Sequence, residues 1–257
     1  MKYSLSGILF ESDYKSQSFD FPRFCRLAVN LGYEGVELRK TQIDLNTPKK
    51  RRSEMLRVVQ NEGLSVTCLT TRGMPDSGDE RDNFLLGYLE LCADLKCDIL
   101  KTGGDPEWML WAADQAKPIG ITLARNNHAG TDLETVKGTE EFLSSVDHPN
   151  VRLLYDSLHL YWGGEDYLDA ISRFAPRIVN VLVHSIKPPI KSDGASQLEL
   201  RHCMPDDPGA QDWKGIYREL KSIDYSGLVT VIESGWSPDE REGVAKRNID
   251  FLMLLDS

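Results

Sequence analysis

No stretch of this 257-residue chain reaches the run of about 18 apolar residues that a membrane-spanning helix needs, so no membrane partner is expected. Cysteine is scarce. Cys25, Cys68, Cys92, Cys97 and Cys203 are odd in number and include no CxxC pair. That excludes a disulfide framework and a thiolate zinc site, and leaves buried thiols in a reducing compartment. Positive charge is short too: 30 Lys and Arg stand against 40 Asp and Glu, a formal net charge of −10. An acidic chain repels phosphate backbones, so nucleic acid is not an expected partner. The basic clusters are Lys49-Lys50-Arg51-Arg52 and the scattered Lys187 and Lys191; the first opens a helix without interleaved aromatics and reads as a solvated face. No GxGxxG follows the first strand, which argues against a doubly wound dinucleotide fold. Met1 to Asp13 reads as a strand and a turn with no basic region leading into an apolar one; no signal peptide is expected, and the default location is cytoplasmic.

What the chain has is a regular alternation of short apolar runs and longer amphipathic ones. Strands are predicted over Tyr3–Phe10, Gly35–Arg39, Ser65–Thr71, Asp98–Thr102, Ile121–Asn127, Val151–Asp156, Ile178–His184 and Leu228–Glu233. Helices are predicted over Phe21–Leu31, Pro48–Glu62, Asp82–Lys96, Glu107–Lys117, Thr135–Val146, Asp166–Phe174, Asp212–Lys221 and Pro238–Leu255. The last is expected to start from a Ser237 cap, with Pro238 first and Glu240 three residues after the cap. A long polar loop is expected over Ile186–Gln211. About eight βα units in series predict an α/β protein of one domain over residues 1–257, a (β/α)8 TIM barrel.

Catalytic groups of such barrels stand at the C-terminal ends of the strands. Four consecutive strand ends carry polar groups directly after an apolar run: Asn126-Asn127-His128, Asp156 with His159, His184, and Glu233. Each is expected to point into the barrel mouth, where only a partner or a metal offsets its desolvation. Singly, each has a bland explanation in an ion pair or a loop cap; together they converge on one point. The oxygen and nitrogen donors suit Mn, Mg, Co, Fe or Zn rather than copper or an iron–sulfur cluster.

These segments resemble the xylose isomerase-like TIM barrels, the sugar phosphate isomerases and epimerases. The likeness covers nearly the whole chain. It rests on Gly32-Tyr33-Glu34-Gly35-Val36-Glu37-Leu38, Asn126-Asn127-His128-Ala129-Gly130, Asp156-Ser157-Leu158-His159, His184, Asp212-Trp213 and Glu233. The resemblance implies a divalent metal held at the positions of Asn126, Asp156, His184 and Glu233, with His159 and Arg201 on the substrate side. It implies a small sugar or polyol-derived substrate, and a homodimer as the assembly such barrels often adopt.

One position departs from the pattern: where epimerases carry a carboxylate on the fifth strand, this chain has Asn126. An amide cannot move a proton, so two-base epimerisation is in doubt while a metal held by two carboxylates and an imidazole is not. The expected chemistry is enolisation, with Glu233 as ligand and base and with His159 and Lys101 as proton shuttles or oxygen stabilisers. A single base serves an aldose–ketose isomerase, which is the reading preferred from the sequence, and it also serves the alternative, a dehydratase of the inosose dehydratase type. His128, Glu37 and Trp108 are candidate substrate contacts. Lys101 has an alternative as an ion-pair partner of Asp105 or Glu37, His128 as a loop contact, and Glu37 as a brace for Arg39. A non-catalytic sugar-binding descendant is the competing class. A nuclease with a trinuclear zinc cluster is disfavoured by five histidines and the charge.

Overall fold

The computed structural model describes residues 1–188 and 201–257. Eight parallel strands close into a barrel: β1 (Lys2–Ser6), β2 (Gly35–Leu38), β3 (Ser65–Thr70), β4 (Ile99–Lys101), β5 (Thr122–Asn126), β6 (Val151–Asp156), β7 (Ile178–Val183) and β8 (Leu228–Val231), with β8 pairing β1. Around them run α1 (Phe21–Leu31), α2 (Lys49–Asn61), α3 (Gly78–Leu95), α4 (Pro106–Ala116), α5 (Val136–Ser145), α6 (Ser157–Gly163), α7 (Tyr167–Phe174), α8 (Trp213–Ser222) and α9 (Arg241–Asp256). This is the expected (β/α)8 architecture. No helix among the described residues is long and apolar enough to cross a membrane.

Three local expectations are corrected. The first strand stops at Ser6, because Gly7–Phe10 turns into a 3-10 helix capped by the Ser6 side chain. The final helix starts at Arg241, and Glu240 instead accepts hydrogen bonds from Ser237, tying the preceding turn. Residues 157–163, which carry no separate signal in the sequence, form α6 directly after β6. Of the long loop expected over residues 186–211, residues 189–200, Lys191 included, lie outside the described residues. The rest includes an antiparallel pair of Ser185–Ile186 with His202–Cys203.

Side-chain alternation sets what reaches the mouth. In β6, Val151, Leu153 and Tyr155 join the layer between strands and helices, whereas Leu154 belongs to a small inner cluster with Cys68, Ile99, Ala124 and Leu182. In β7, Val181 and Val183 face outward and Leu182 inward. Asp156 and His184 follow on the inward parity. In β8, Val229 and Val231 face the helices, and Leu228 and Ile232 pack against the inner cluster. Glu233 therefore falls on the outward parity and Ser234 on the inward one.

Candidate active site

The mouth holds a cavity of about 460 Å³, lined among others by Arg39, Thr70, Arg72, Lys101, Asn126, His128, Asp156, His159, His184, His202 and Ser234. That volume falls in the range of small-molecule sites. At its centre, ligand atoms of Asp156, His159 and His184 all lie within 4.8 Å of one another, and all three residues are buried. His184 Nε2 is 2.9 Å from Asp156 Oδ1, and His159 Nε2 is 3.5 Å from Asp156 Oδ2. A carboxylate only accepts, so His184 Nε2–H is the donor. Asp156 Oδ1 also caps α6 by accepting from Leu158 N–H at 3.1 Å. That cap starts the helix whose first turn carries His159 three residues on, back beside Asp156.

Two side-chain amides hold these groups in place. The buried Asn127 accepts from Asp156 N–H through Oδ1 (2.9 Å) and donates to the Asp156 carbonyl through Nδ2 (2.7 Å). The buried Gln211 donates to the His184 carbonyl (3.2 Å) and accepts from Ile186 N–H (3.2 Å). Each amide uses both of its ends on backbone flanking a functional residue.

Burial disfavours the Asp156 anion, yet His184, His159 and Lys101 outweigh it and hold its carboxyl well below the ordinary carboxylate range. Burial pushes the His159 imidazole down to about 4, against the pull of Asp156 and with the help of His128 and His184. His159 is thus a neutral imidazole at pH 7. Its ring centroid lies 3.8 Å from that of His128. His128 Nδ1 sits 2.7 Å from the Ala129 carbonyl. Since that oxygen cannot donate, Nδ1 carries a proton, and Nε2 is the ring nitrogen left to act as an acceptor.

Asp156, His184, His159, His128, Asn126 and Lys101, all picked from sequence, meet in this cavity. The others do not line it. Glu233 is fully buried at the end of β8, with Oε2 accepting from Trp236 Nε1 at 3.1 Å. Burial lifts its carboxyl to about 7, against the Trp236 hydrogen bond and His184. It lies outside the cluster of Asp156, His159 and His184, so the cluster carries one carboxylate rather than two. Glu37 is buried behind the lining, accepting from Ser6 Oγ (2.8 Å) and Thr70 Oγ1 (3.3 Å) and pairing with Arg39 (3.5 Å). Trp108 donates to Asp82 (2.8 Å) and lies under the Arg81 guanidinium. Arg201 donates to the Pro188 carbonyl at 2.9 Å. Asp105, one alternative partner of Lys101, instead caps α4 and pairs with Arg81 at 3.0 Å.

Three features of the site were not singled out in the sequence, His202, Arg72 and the amide of Gln211, and Asn127 was named there only within its strand-end run. His202 follows Arg201 in an irregular region, and its ring is met by the β8 loop only because residue 235 is glycine. There φ is +79°, and a Cβ would come within 2.9 Å of the His202 ring. Burial and His184 lower its pKa. The doubled asparagine of β5 was the available signal for Asn127.

Comparison with known proteins agrees with this architecture. The sequence model of the family described as xylose isomerase-like TIM barrel matches residues 25–255. An inosose dehydratase of Geobacillus kaustophilus is 30% identical over 128 residues, 47% of this chain and 41% of that protein. The match thus spans less than half the length of that curated relative. The crystal structure of the probable 3-DHS dehydratase AsbF of Bacillus anthracis superposes with a TM-score of 0.80 at 19% identity, covering 98% of this chain and 99% of that one. D-psicose 3-epimerase with D-tagatose from Clostridium cellulolyticum H10 gives 0.77 at 15% identity, covering 99% of each chain. At these identities the two structures speak for the fold alone.

Proposed function

Because this chain belongs to the xylose isomerase-like TIM barrel family, we propose that it is a divalent-metal-dependent dehydratase, removing a proton α to a carbonyl of a polyol-derived substrate and expelling a β-hydroxyl as water. The observation that carries the reading is the convergence of Asp156, His159 and His184 in the cavity, with Asp156 Oδ2 buried and lacking a hydrogen-bond partner. An orphaned carboxylate oxygen beside two imidazoles fits a cation of the Mn, Mg, Co or Zn kind, and these three residues would hold it. Such a cation supplies Lewis acidity to the carbonyl oxygen of the substrate and so acidifies the α-proton.

The chain's own groups do the rest. His128 Nε2, open to accept a proton, removes the α-proton from the cavity wall. His184 would ligate such an ion through Nε2 in the tautomer that carries its proton on Nδ1, since a ligating imidazole nitrogen must be free of a proton. Asn127 and Gln211 keep Asp156 and His184 from retreating. Asn126 has no group that can act as an acid or a base near pH 7, which leaves one base and speaks against epimerisation through two opposed carboxylates. The similarity to an inosose dehydratase favours elimination. An aldose–ketose isomerase is the second reading, supported by the same single base, because both of its proton transfers occur on one face.

Two measurements test this. Metal analysis of the purified protein is expected to give about one divalent ion per chain, lost in Asp156→Ala and His184→Ala. NMR in D2O with a panel of inososes and ketoses is expected to show deuterium at the α-carbon and loss of water, both falling at least about a thousandfold in Asp156→Ala. Undiminished metal content in that variant would show that the site has been placed wrongly. Exchange without elimination would move the reading to the isomerase.

A further inference from the structure

On the side of the cavity away from β5–β7, the lining is cationic. Arg39 follows β2, Thr70 ends β3 with Thr71 and Arg72 just beyond, and Lys101 ends β4 in register with Thr70. Three cations line the cavity against a single carboxylate, Asp156. Arg39 is compensated from behind by Glu37 (3.5 Å) and Glu11 (3.8 Å). Both of those acids are already shared, Glu37 with Ser6 and Thr70, and Glu11 with Thr41 at 2.5 Å. Lys101 and Arg72 have no carboxylate within 4 Å among the described residues. Arg72 stands at the rim, its guanidinium stacked over the Tyr14 ring at 4.6 Å.

We propose that this half of the mouth is an anion subsite, and that the substrate is a polyhydroxylated oxo acid whose carboxylate pairs with Lys101 and Arg72. The proposal rests on the reading of the cavity as the substrate site and adds the substrate's charge. A neutral sugar would leave the Lys101 side chain with no carboxylate beside it, an arrangement that burial disfavours for the ammonium. A divalent cation beside Asp156 would add further positive charge, which an anionic substrate balances. The local chain favours a carboxylate over a phosphoester. The loop after Lys101 leads into α4, where Pro106 has no N–H and the Trp108 N–H is taken by the Asp105 carboxylate; the single amide left, that of Glu107, makes no cradle for phosphate oxygens.

The test uses the full chain stripped of metal with EDTA, so that chelation by a bound ion plays no part. D-gluconate, D-glucitol and D-glucitol 6-phosphate are titrated by calorimetry. Gluconate is expected to bind at least about tenfold tighter than glucitol, the effect of one charge-assisted contact. Lys101→Met and Arg72→Met are each expected to reduce that preference, while Lys101→Arg retains most of it. Arg72 is exposed, so its variant folds even if Lys101→Met does not. Equal binding of gluconate and glucitol, or a preference that survives both substitutions, overturns the proposal. Tightest binding of glucitol 6-phosphate overturns the assignment to a carboxylate. Failure of the dehydratase reading shows separately, as no α-proton exchange in the metal-loaded protein while the gluconate preference stands.

Discussion

Strands β5 to β7 and strands β2 to β4 contribute opposite halves of one cavity, and they brace their functional groups by different means. On the first side, Asp156 and His184 are fixed through their backbones by the neutral amides of Asn127 and Gln211. That leaves the carboxylate and the imidazoles with capacity to spare, seen in the unpartnered Asp156 Oδ2 and His159 Nδ1. On the second side, the braces are the acids Glu37 and Glu11, set behind Arg39. A neutral brace fixes position without changing charge and suits a site that must bind a cation. A charged brace also sets the field, and here it pairs directly with one cation while Lys101 and Arg72 have no carboxylate within 4 Å among the described residues.

The largest expected effect breaks the neutral brace. Asn127→Ala removes two buried hydrogen bonds and leaves the Asp156 N–H and carbonyl without those partners, a loss of about 4 kcal/mol in stability. Chemical denaturation should show it as a lower midpoint with an unchanged slope. Asp156 itself is retained, so metal affinity should fall while the metal-to-protein ratio at saturation stays the same. Asn127→Asp restores one acceptor only, and should recover part of the stability but not the donor to the carbonyl. If Asn127→Ala matched the unmodified protein in stability, the amide clamp would be a bystander.

Much of this was legible in the sequence, and the reason is periodicity. The βα alternation, with glycine or proline at most junctions, gives the barrel almost directly, and Phe21–Leu31 and Val151–Asp156 are recovered to the residue. Asp156 and His184 were readable because each ends an apolar run in a strand. The side on which a strand-end residue points was not readable, because a strand buried on both faces is apolar at every position and shows no alternation. Leu228 to Ile232 is such a run, interrupted only by Thr230, and Glu233 looks like Asp156 until parity turns it toward the helix layer. The helix at residues 157–163 was hidden because Asp156 serves both as a strand end and as a helix cap. Arg72 and His202 come from loops, where position depends on tertiary contacts that no period encodes.

Glu233 sharpens the comparison through pH. Its carboxyl stands at about 7 in the folded protein, against 4.5 for a free one, with burial as the main cause. The folded chain therefore holds a proton that the unfolded chain releases first. This contribution is fully present below pH 4.5 and is lost as pH rises through 7. Glu233→Gln keeps an acceptor for Trp236 and removes the ionisation. In metal-free protein the variant should match the parent near pH 4 and exceed it by about 3 kcal/mol near pH 9, since each pKa unit is worth about 1.4 kcal/mol. Thermal melts across that range check it. Parallel pH profiles would mean that the Glu233 carboxyl reaches solvent or a counter-charge.

The smallest effect tests the charged brace. Glu37→Gln keeps an oxygen for Ser6 and Thr70 and removes the negative charge beside Arg39. Removing one acid from this buried pair, with Glu11 still beside Arg39, should cost about 2 kcal/mol in stability. The same change makes the cavity more positive, because Glu37 is also the acid that most supports the Lys101 ammonium. Two consequences oppose each other there. Lys101 releases its proton more easily, while Arg39 becomes free to take an anion. Arg39 cannot lose its charge, so the second prevails at neutral pH. Gluconate affinity should rise about two- to fivefold at low salt, and the gain should shrink as salt is added. A fall in affinity at neutral pH would show that Glu37 acts chiefly to keep Lys101 charged, and that Arg39 belongs to the scaffold rather than to the anion subsite.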